Sequence, residues 1–249
     1  MYKALFLDLD GTTVAPFTDA PSPRVKHAIE KLRNKVHVCL ATGRLFHQAQ
    51  PVIDHLNLNG LCVIANGIQI YDPTRKKIIK EIALSQKEVP LIYNLLKKYS
   101  HQIHTFDGEV ARVRAQIASH KILSFFIENI SPHVVEKIIK DLERFPSVIV
   151  HKLLAADQNL LSIEVCSARG TKQHGIVDVA KRLNISTHEI IGVGDGYNDF
   201  PLLLACGLKF AMGNAVAELK AIADFVAPSV ENDGVAVIIE KFILPLLRS

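Results

Sequence analysis

Long apolar runs are missing from this chain of 249 residues. None reaches the ~18 residues that a membrane-spanning helix needs, so a transmembrane reading is excluded. Cysteine is scarce, with four in all. Cys39, Cys62, Cys166 and Cys206 form no CxxC pair and three of them sit in apolar runs, which suits buried thiols in a reducing cytosol. The eleven histidines show no HExxH or related spacing, which argues against zinc. No charged leader with an apolar stretch and cleavage site opens the sequence, so the expected location is cytoplasmic. Low-complexity tracts and blocks of like charge are absent, which excludes extended disorder. Arginine-rich helices, zinc-finger spacing and aromatic-basic RNA motifs are also lacking, so nucleic acid is not an expected partner.

What remains is an ordinary globular composition. Hydrophobic residues make up 49%, ample for a core, and the length fits one or two domains. The net charge of +4 is compatible with an anionic small substrate without requiring one. Oligomeric state leaves no trace in the sequence.

The stretch Ala4-Leu5-Phe6-Leu7-Asp8-Leu9-Asp10-Gly11-Thr12 organises the rest. A short apolar run ends in two carboxylates spaced i, i+2. On an extended segment such residues point to one side, so Asp8 and Asp10 are expected to face one site together. Carboxylates that close repel unless a cation or shared proton compensates, and Mg2+ takes oxygen ligands and bridges to phosphate. Gly11 permits a sharp turn after the strand. Thr12 has two readings, a cap on the next segment or a hydrogen-bond partner of the carboxylates. Alone, the whole motif also reads as a polar turn closing a strand.

Along the chain, apolar runs Val36–Leu40 and Leu61–Ala65 alternate with helical spacing over Arg24–Asn34 and Leu45–His55. This rhythm predicts βαβ units and a parallel sheet. It then changes. Ile68–Tyr71 with Lys77–Ile82, and Gln102–Phe106 with Glu109–Arg114, read as hairpins. Ser85–Tyr99 and Ser131–Phe145 have helical spacing, and Lys121–Ile127, Ser147–Leu153 and Leu160–Cys166 read as strands. From Ser167 the first rhythm resumes, with a helix over Lys172–Leu183, a strand over Glu189–Val193 and a last helix over Gly234–Leu247 broken at Pro245. The expected fold class is α/β, a Rossmann-like parallel-sheet core with an inserted α+β cap of an antiparallel sheet and two helices. The expected divisions are 1–83 for the first part of the core, 84–166 for the cap and 167–249 for the rest of the core.

Ligands of open parallel sheets bind beyond the carboxyl ends of the strands. The sequence places Asp8, Asp10, Thr42-Gly43, Asn66, Asp195, Asn198 and Asp199 there, and Lys172 at the start of a helix. Acids, a hydroxyl, a lysine and open backbone N–H groups suit phosphoryl transfer. Each piece has a plainer reading: Thr42 as an N-cap, Lys172 as a solvated lysine, Asp195 with Asp199 as a loop and a cap. Gly192-x-Gly194-x-Gly196 does not open a helix as a dinucleotide loop does, and an acid interrupts it.

In this order, DLDGT, ATGR, a lysine at a helix start and GDGYND resemble the haloacid dehalogenase superfamily of Mg2+-dependent phosphohydrolases. The insertion resembles its type-C2 cap. Ala65-Asn66-Gly67, Met212-Gly213-Asn214-Ala215 and Asn232-Asp233-Gly234-Val235 resemble the Cof-type subgroup. The resemblance implies Asp8 as nucleophile, forming an aspartyl-phosphate, and Asp10 as general acid, then base. It implies Mg2+ held by the Asp8 side chain, the Asp10 carbonyl and Asp195, with phosphate contacts from Leu9, Thr42, Gly43, Lys172 and Asn198. Asp199 is implied to support Lys172 or a metal-bound water, with Thr12 and Asn66 in supporting places. The insertion is shorter than many Cof-type caps, which carry an extra α-β-α-β segment. The implied activity is a cytosolic phosphatase of a small phosphorylated metabolite, a sugar phosphate or phosphorylated cofactor. The alternatives are a phosphotransferase or mutase with the same site, and a non-catalytic phosphate-binding regulatory protein.

Arg44, Arg112 and Arg114 are candidates for substrate contacts remote from phosphorus. Alternation along Glu109–Arg114 puts Arg112 and Arg114 on one side with Ile103 and Thr105, and Phe106, Ala111 and Val113 on the other. The apolar side is expected to pack on the cap helices, leaving the arginine side open. Solvated surface arginines are the favoured plainer reading.

Overall fold

A computed structural model of the protein describes residues 1–16, 18–113, 117, 121–155, 157 and 159–247. The chain forms two compact units, Met1–Ile79 with Lys172–Ser249, and the inserted Lys80–Thr171.

The first unit is built on β1 (Ala4–Leu7), whose four residues are all buried. An unbroken apolar run is what a central strand covered on both faces requires. Beside it lie β2 (His37–Leu40) and β11 (Ile190–Gly194), both parallel to it, with Leu7 opposite Leu40 and Val193. Strands β12 (Leu208–Ala211) and β13 (Phe225–Val226) complete the order β13-β12-β11-β1-β2. Strand order reverses at β1, so the crevice for a ligand opens between the ends of β1 and β11.

Strand β3 (Cys62–Ile64) departs from the expected parallel sheet. It touches β2's end through a single parallel bridge, Ala41 to Val63, then pairs antiparallel with β4 (Gln69–Asp72). Ala65 and Asn66 are both left-handed, with φ of 48° and 53°, and reverse the chain here. With β5 (Lys77–Glu81) they make a three-stranded sheet.

Helix α1 (Pro23–Glu30) starts at Ser22, whose Oγ accepts from Val25 N at 3.1 Å, with Pro23 in the first turn where no N–H is needed. Helix α2 (Phe46–His55) follows β2. The last helix runs Gly234–Ile238, passes through a π turn over Ile239–Ile243 and resumes at Leu244–Leu246. The wider turn lets Pro245 continue the helix where a break was expected. No described helix is long and apolar enough to cross a membrane. All four cysteines are free and buried, and burial pushes the Cys62 thiol to about 12, so they are unreactive.

The inserted unit has a five-stranded antiparallel sheet in the order β7-β6-β8-β10-β9. Its strands are β6 (His104–Phe106), β7 (Ala111–Val113), β8 (Ser124–Ile130), β9 (Val148–Leu154) and β10 (Leu161–Ser167). Helices α3 (Val89–Leu96) and α4 (Pro132–Leu142) share a core with Phe125, Ile127, Ile163 and Val165 of that sheet. The Tyr93 ring of α3 lies 5.9 Å from the Phe125 ring. One expectation is reversed by this register. Thr105 pairs with both Arg112 and Phe125, so Arg112 lies on the helix-covered side of the sheet, exposed at its edge. Phe106, Ala111 and Val113 lie on the opposite side. Arg114 falls outside the described residues.

Candidate active site

β1 ends at Leu7, and the chain turns at once. The amides of Thr12, Thr13 and Val14 all point to the Leu9 carbonyl, and Gly11 takes a φ of 76° that a side chain resists. Asp8 and Asp10 therefore diverge instead of facing one site together, as i, i+2 residues of an extended segment would. The Asp8 carboxylate turns to Lys172. The Asp10 carboxylate turns to Arg44, which donates from Nε to Oδ2 at 2.9 Å and from Nη2 to Oδ1 at 2.7 Å.

Lys172 opens helix α5 (Lys172–Leu183) and is fully buried. One turn on, Gly175 faces Val63; a Cβ there would lie 2.5 Å from Val63 Cγ1. That missing methyl lets α5 settle against β3 and lowers Lys172 to the strand ends. Its Nζ donates to Asp8 Oδ1 and Asp199 Oδ1, each at 2.6 Å. The second oxygen of Asp199 accepts from the amides of Asp195 and Gly196 at 2.8 and 2.9 Å. Thr12 Oγ1 donates to Asp195 Oδ1 at 2.7 Å, a carboxylate from a distant segment and neither of the two in its own motif.

Ligand oxygens of Asp8, Asp195 and Asp199 lie within 4.8 Å of one another. Three carboxylates against one ammonium leave an excess of two negative charges. Burial, then the charge of Asp199, pushes Asp8 up to about 7, against the pull of Lys172. Burial, then Asp8 and Asp199, pushes Asp195 up to about 8. Burial works to lower the Lys172 ammonium, but the charges and hydrogen bonds of Asp199 and Asp8 outweigh it and raise it. A divalent cation would balance the charge left when all three acids are ionised, and an all-oxygen donor set fits a hard one. Asp199 already accepts three short hydrogen bonds, whereas Asp195 accepts one from Thr12 and one at 3.4 Å from Asn214, and Asp8 one side-chain bond from Lys172, so Asp8 and Asp195 keep the most room for such an ion.

Thr42 and Asn66 sit on the neighbouring strand ends. Thr42 Oγ1 accepts from Arg44 N at 3.1 Å, and its carbonyl accepts from Asn66 N at 2.9 Å. Asn198 Nδ2 donates to Asn66 Oδ1 at 3.0 Å. These contacts gather the ATGR, ANG and GDGYND segments round the end of β1. Asn214, of the Met212-Gly213-Asn214-Ala215 motif, joins the site as well. Asn214 donates from Nδ2 to the Gly11 carbonyl at 2.8 Å and lies 3.4 Å from Asp195 Oδ2. Its Oδ1 accepts from Val230 N at 2.9 Å. An asparagine directly after Met212-Gly213 at a strand end was the available signal.

The sequence profile of the haloacid dehalogenase-like hydrolases matches residues 5–130 and 111–239. The chain belongs to this family. Among the relatives of this haloacid dehalogenase-like hydrolase is the 5-amino-6-(5-phospho-D-ribitylamino)uracil phosphatase YcsE of Bacillus subtilis (strain 168), 23% identical over 97% of this chain and 96% of that protein. The phosphoglycolate phosphatase of Methanopyrus kandleri is 23% identical, covering 98% of each chain. Among solved structures, the subclass IIB sugar phosphatase BT4131 superposes with a TM-score of 0.82 at 21% identity, over 97% of this chain and 99% of that one. The Cof-type assignment read from the motifs agrees with these matches, and so does the α/β core with its inserted cap.

Proposed function

We propose that this hydrolase is a Mg2+-dependent phosphatase of a small phosphorylated metabolite, a sugar phosphate or phosphorylated cofactor. The observation that carries the reading is the buried Lys172 ammonium, 2.6 Å from both Asp8 and Asp199, with Asp195 in the same cluster. A lysine so placed orients one carboxylate and balances the charge of an incoming phosphoryl group. The phosphatases among the relatives support the same reading.

Asp8 attacks phosphorus with the oxygen that Lys172 leaves open. The Asp8 O–P bond forms as the bond to the leaving oxygen breaks, and Asp10 gives that oxygen a proton. Asp10 then takes a proton from water, whose oxygen attacks phosphorus and releases inorganic phosphate and the Asp8 carboxylate. The Asp8 side chain, the Asp10 carbonyl and Asp195 would hold Mg2+, which would supply neutralising charge for the phosphoryl oxygens. Thr42, the amides of Leu9 and Gly43, and Asn198 hold the phosphate, with Asn66 fixing Asn198. Asp199 and Thr12 keep Lys172 and Asp195 in place.

The test is a panel of phosphorylated metabolites assayed with Mg2+, with and without chelator, for the wild type and Asp8→Asn. The variant is expected to fold and to lose turnover by about three or more orders of magnitude, because an amide cannot attack phosphorus. Turnover retained by Asp8→Asn removes Asp8 as nucleophile; activity indifferent to chelation removes the metal.

A further inference from the structure

We infer that Arg44 is a positioning residue for Asp10, holding its carboxylate at the angle from which it exchanges protons with substrate and water. The inference rests on the proton-transfer role proposed for Asp10. Arg44 was a candidate for direct substrate contact, but its guanidinium is already committed. Nε and Nη2 grip the two oxygens of Asp10 at 2.9 and 2.7 Å. Nη1 donates to Asp19 Oδ1 at 2.6 Å and to the Gln48 carbonyl at 3.3 Å. Nη2 also donates to the Thr18 carbonyl at 2.6 Å. A guanidinium has five N–H groups, and five acceptors surround this one, leaving none for a substrate. The Arg44 side chain is only 12% exposed, whereas that of Asp10 is 43% exposed.

Asp10 needs a holder for a local reason. It follows the end of β1 in a turn, and nearly half its side chain meets solvent, so packing does not fix its rotamer. A two-pronged grip does fix it, because a fork matches a carboxylate in plane and direction. The fork is itself anchored: the Arg44 amide bonds Thr42 Oγ1 at 3.1 Å, and the Asp19 and Thr18 contacts fix the far side of the guanidinium. An ångström of misplacement at a proton-transfer group costs roughly 100-fold in rate.

A double-mutant cycle tests this with wild type, Arg44→Ala, Asp10→Asn and the double variant, each on an alkyl and an aryl phosphate. Arg44→Ala is expected to lower kcat on the alkyl phosphate by about 10- to 100-fold, and less on the aryl phosphate, whose leaving group needs little protonation. KM should stay within about 3-fold. Added to Asp10→Asn, Arg44→Ala should cost less than about 2-fold more, since the group it positions is gone. Arg44→Lys, which keeps the charge and loses the fork, should fall between wild type and Arg44→Ala. A raised KM with kcat preserved, or losses that multiply in the double variant, would overturn the inference. Melting of the same four proteins gives the cycle without turnover. If the wild type hydrolysed nothing yet the melting losses were non-additive, the phosphatase reading would fail and the tie between Arg44 and Asp10 would stand. Additive melting losses would refute the tie itself.

Discussion

Replacing Lys172 with methionine asks how much that one ammonium offsets. The Lys172 side chain is 1% exposed, and those of its partners Asp8 and Asp199 are 8% and 0% exposed, so water cannot take its place. Removing one member of a buried pair costs about 3–5 kcal/mol, because the charge left behind stays desolvated and unpaired. Two partners do not double the figure, since burying the lysine itself carries a cost that the variant no longer bears. For a chain of this size each kcal/mol moves Tm by about 2–4 °C, so Lys172→Met should melt roughly 6–20 °C lower in chelator. The carboxylates have one escape, which is to bind protons. Asp8 and Asp195 already stand at about 7 and about 8 with the lysine present. The drop should therefore be largest near pH 8.5 and shrink near pH 5.5. Thermal melts of both proteins in chelator at these two pH values decide the matter. A variant within about 2 °C of the wild type at both would show that Lys172 does not offset the acids, and the charge argument for a cation would go with it.

Two further outcomes follow from the same geometry. For Asp8 and Asp195, folded values of about 7 and about 8 exceed the ordinary 3.8, so the metal-free folded state binds more protons than the unfolded one between about pH 4 and pH 8. Their contribution is fully present below about pH 4 and is lost as pH rises through that window, so the stability gained by Asp195→Asn in chelator should grow from pH 5 to pH 8; a constant or shrinking gap in denaturant midpoints would contradict the shift. Gly11→Ala places a Cβ on the Asp195 carboxylate at a φ of 76°, and should cost about 1–2 kcal/mol and raise the Mg2+ needed for half-maximal turnover; unchanged melting and metal titration would count against the close approach.

The site's membership was largely legible in the sequence because its parts sit at strand ends, and short apolar runs locate strand ends well. The apolar run before Asp8 is a strand, Ala4–Leu7, and Asp8, Thr12, Lys172, Asp195 and Asp199 meet at its end. What was less legible depends on direction. The i, i+2 rule needs extended backbone, and the amides that converge on Leu9 O curl the chain around Asp10, sending its carboxylate to Arg44. Alternation put Thr105 on the same side as Arg112, where the register also has it, but which side of that hairpin the helices cover is set by β8 and β10, far along the chain. Gly175 inside a predicted helix was a usable sign of close packing, since an interior helical glycine costs roughly 1 kcal/mol against alanine without such a reason.

The pairing of β1 with β11 joins Ala4 to Ile190. As the ribosome extends the chain, the first strand made thus waits for one of the last. By then the whole Lys80–Thr171 unit, whose described strands β6 to β10 pair with one another, has been synthesised and is free to fold. Until Lys172 and β11 emerge, the Asp8 turn has β2 on one side but neither its ammonium nor the strand on the other. Birth order thus lets the insert be complete in sequence before the cluster of Asp8, Lys172, Asp195 and Asp199 can assemble.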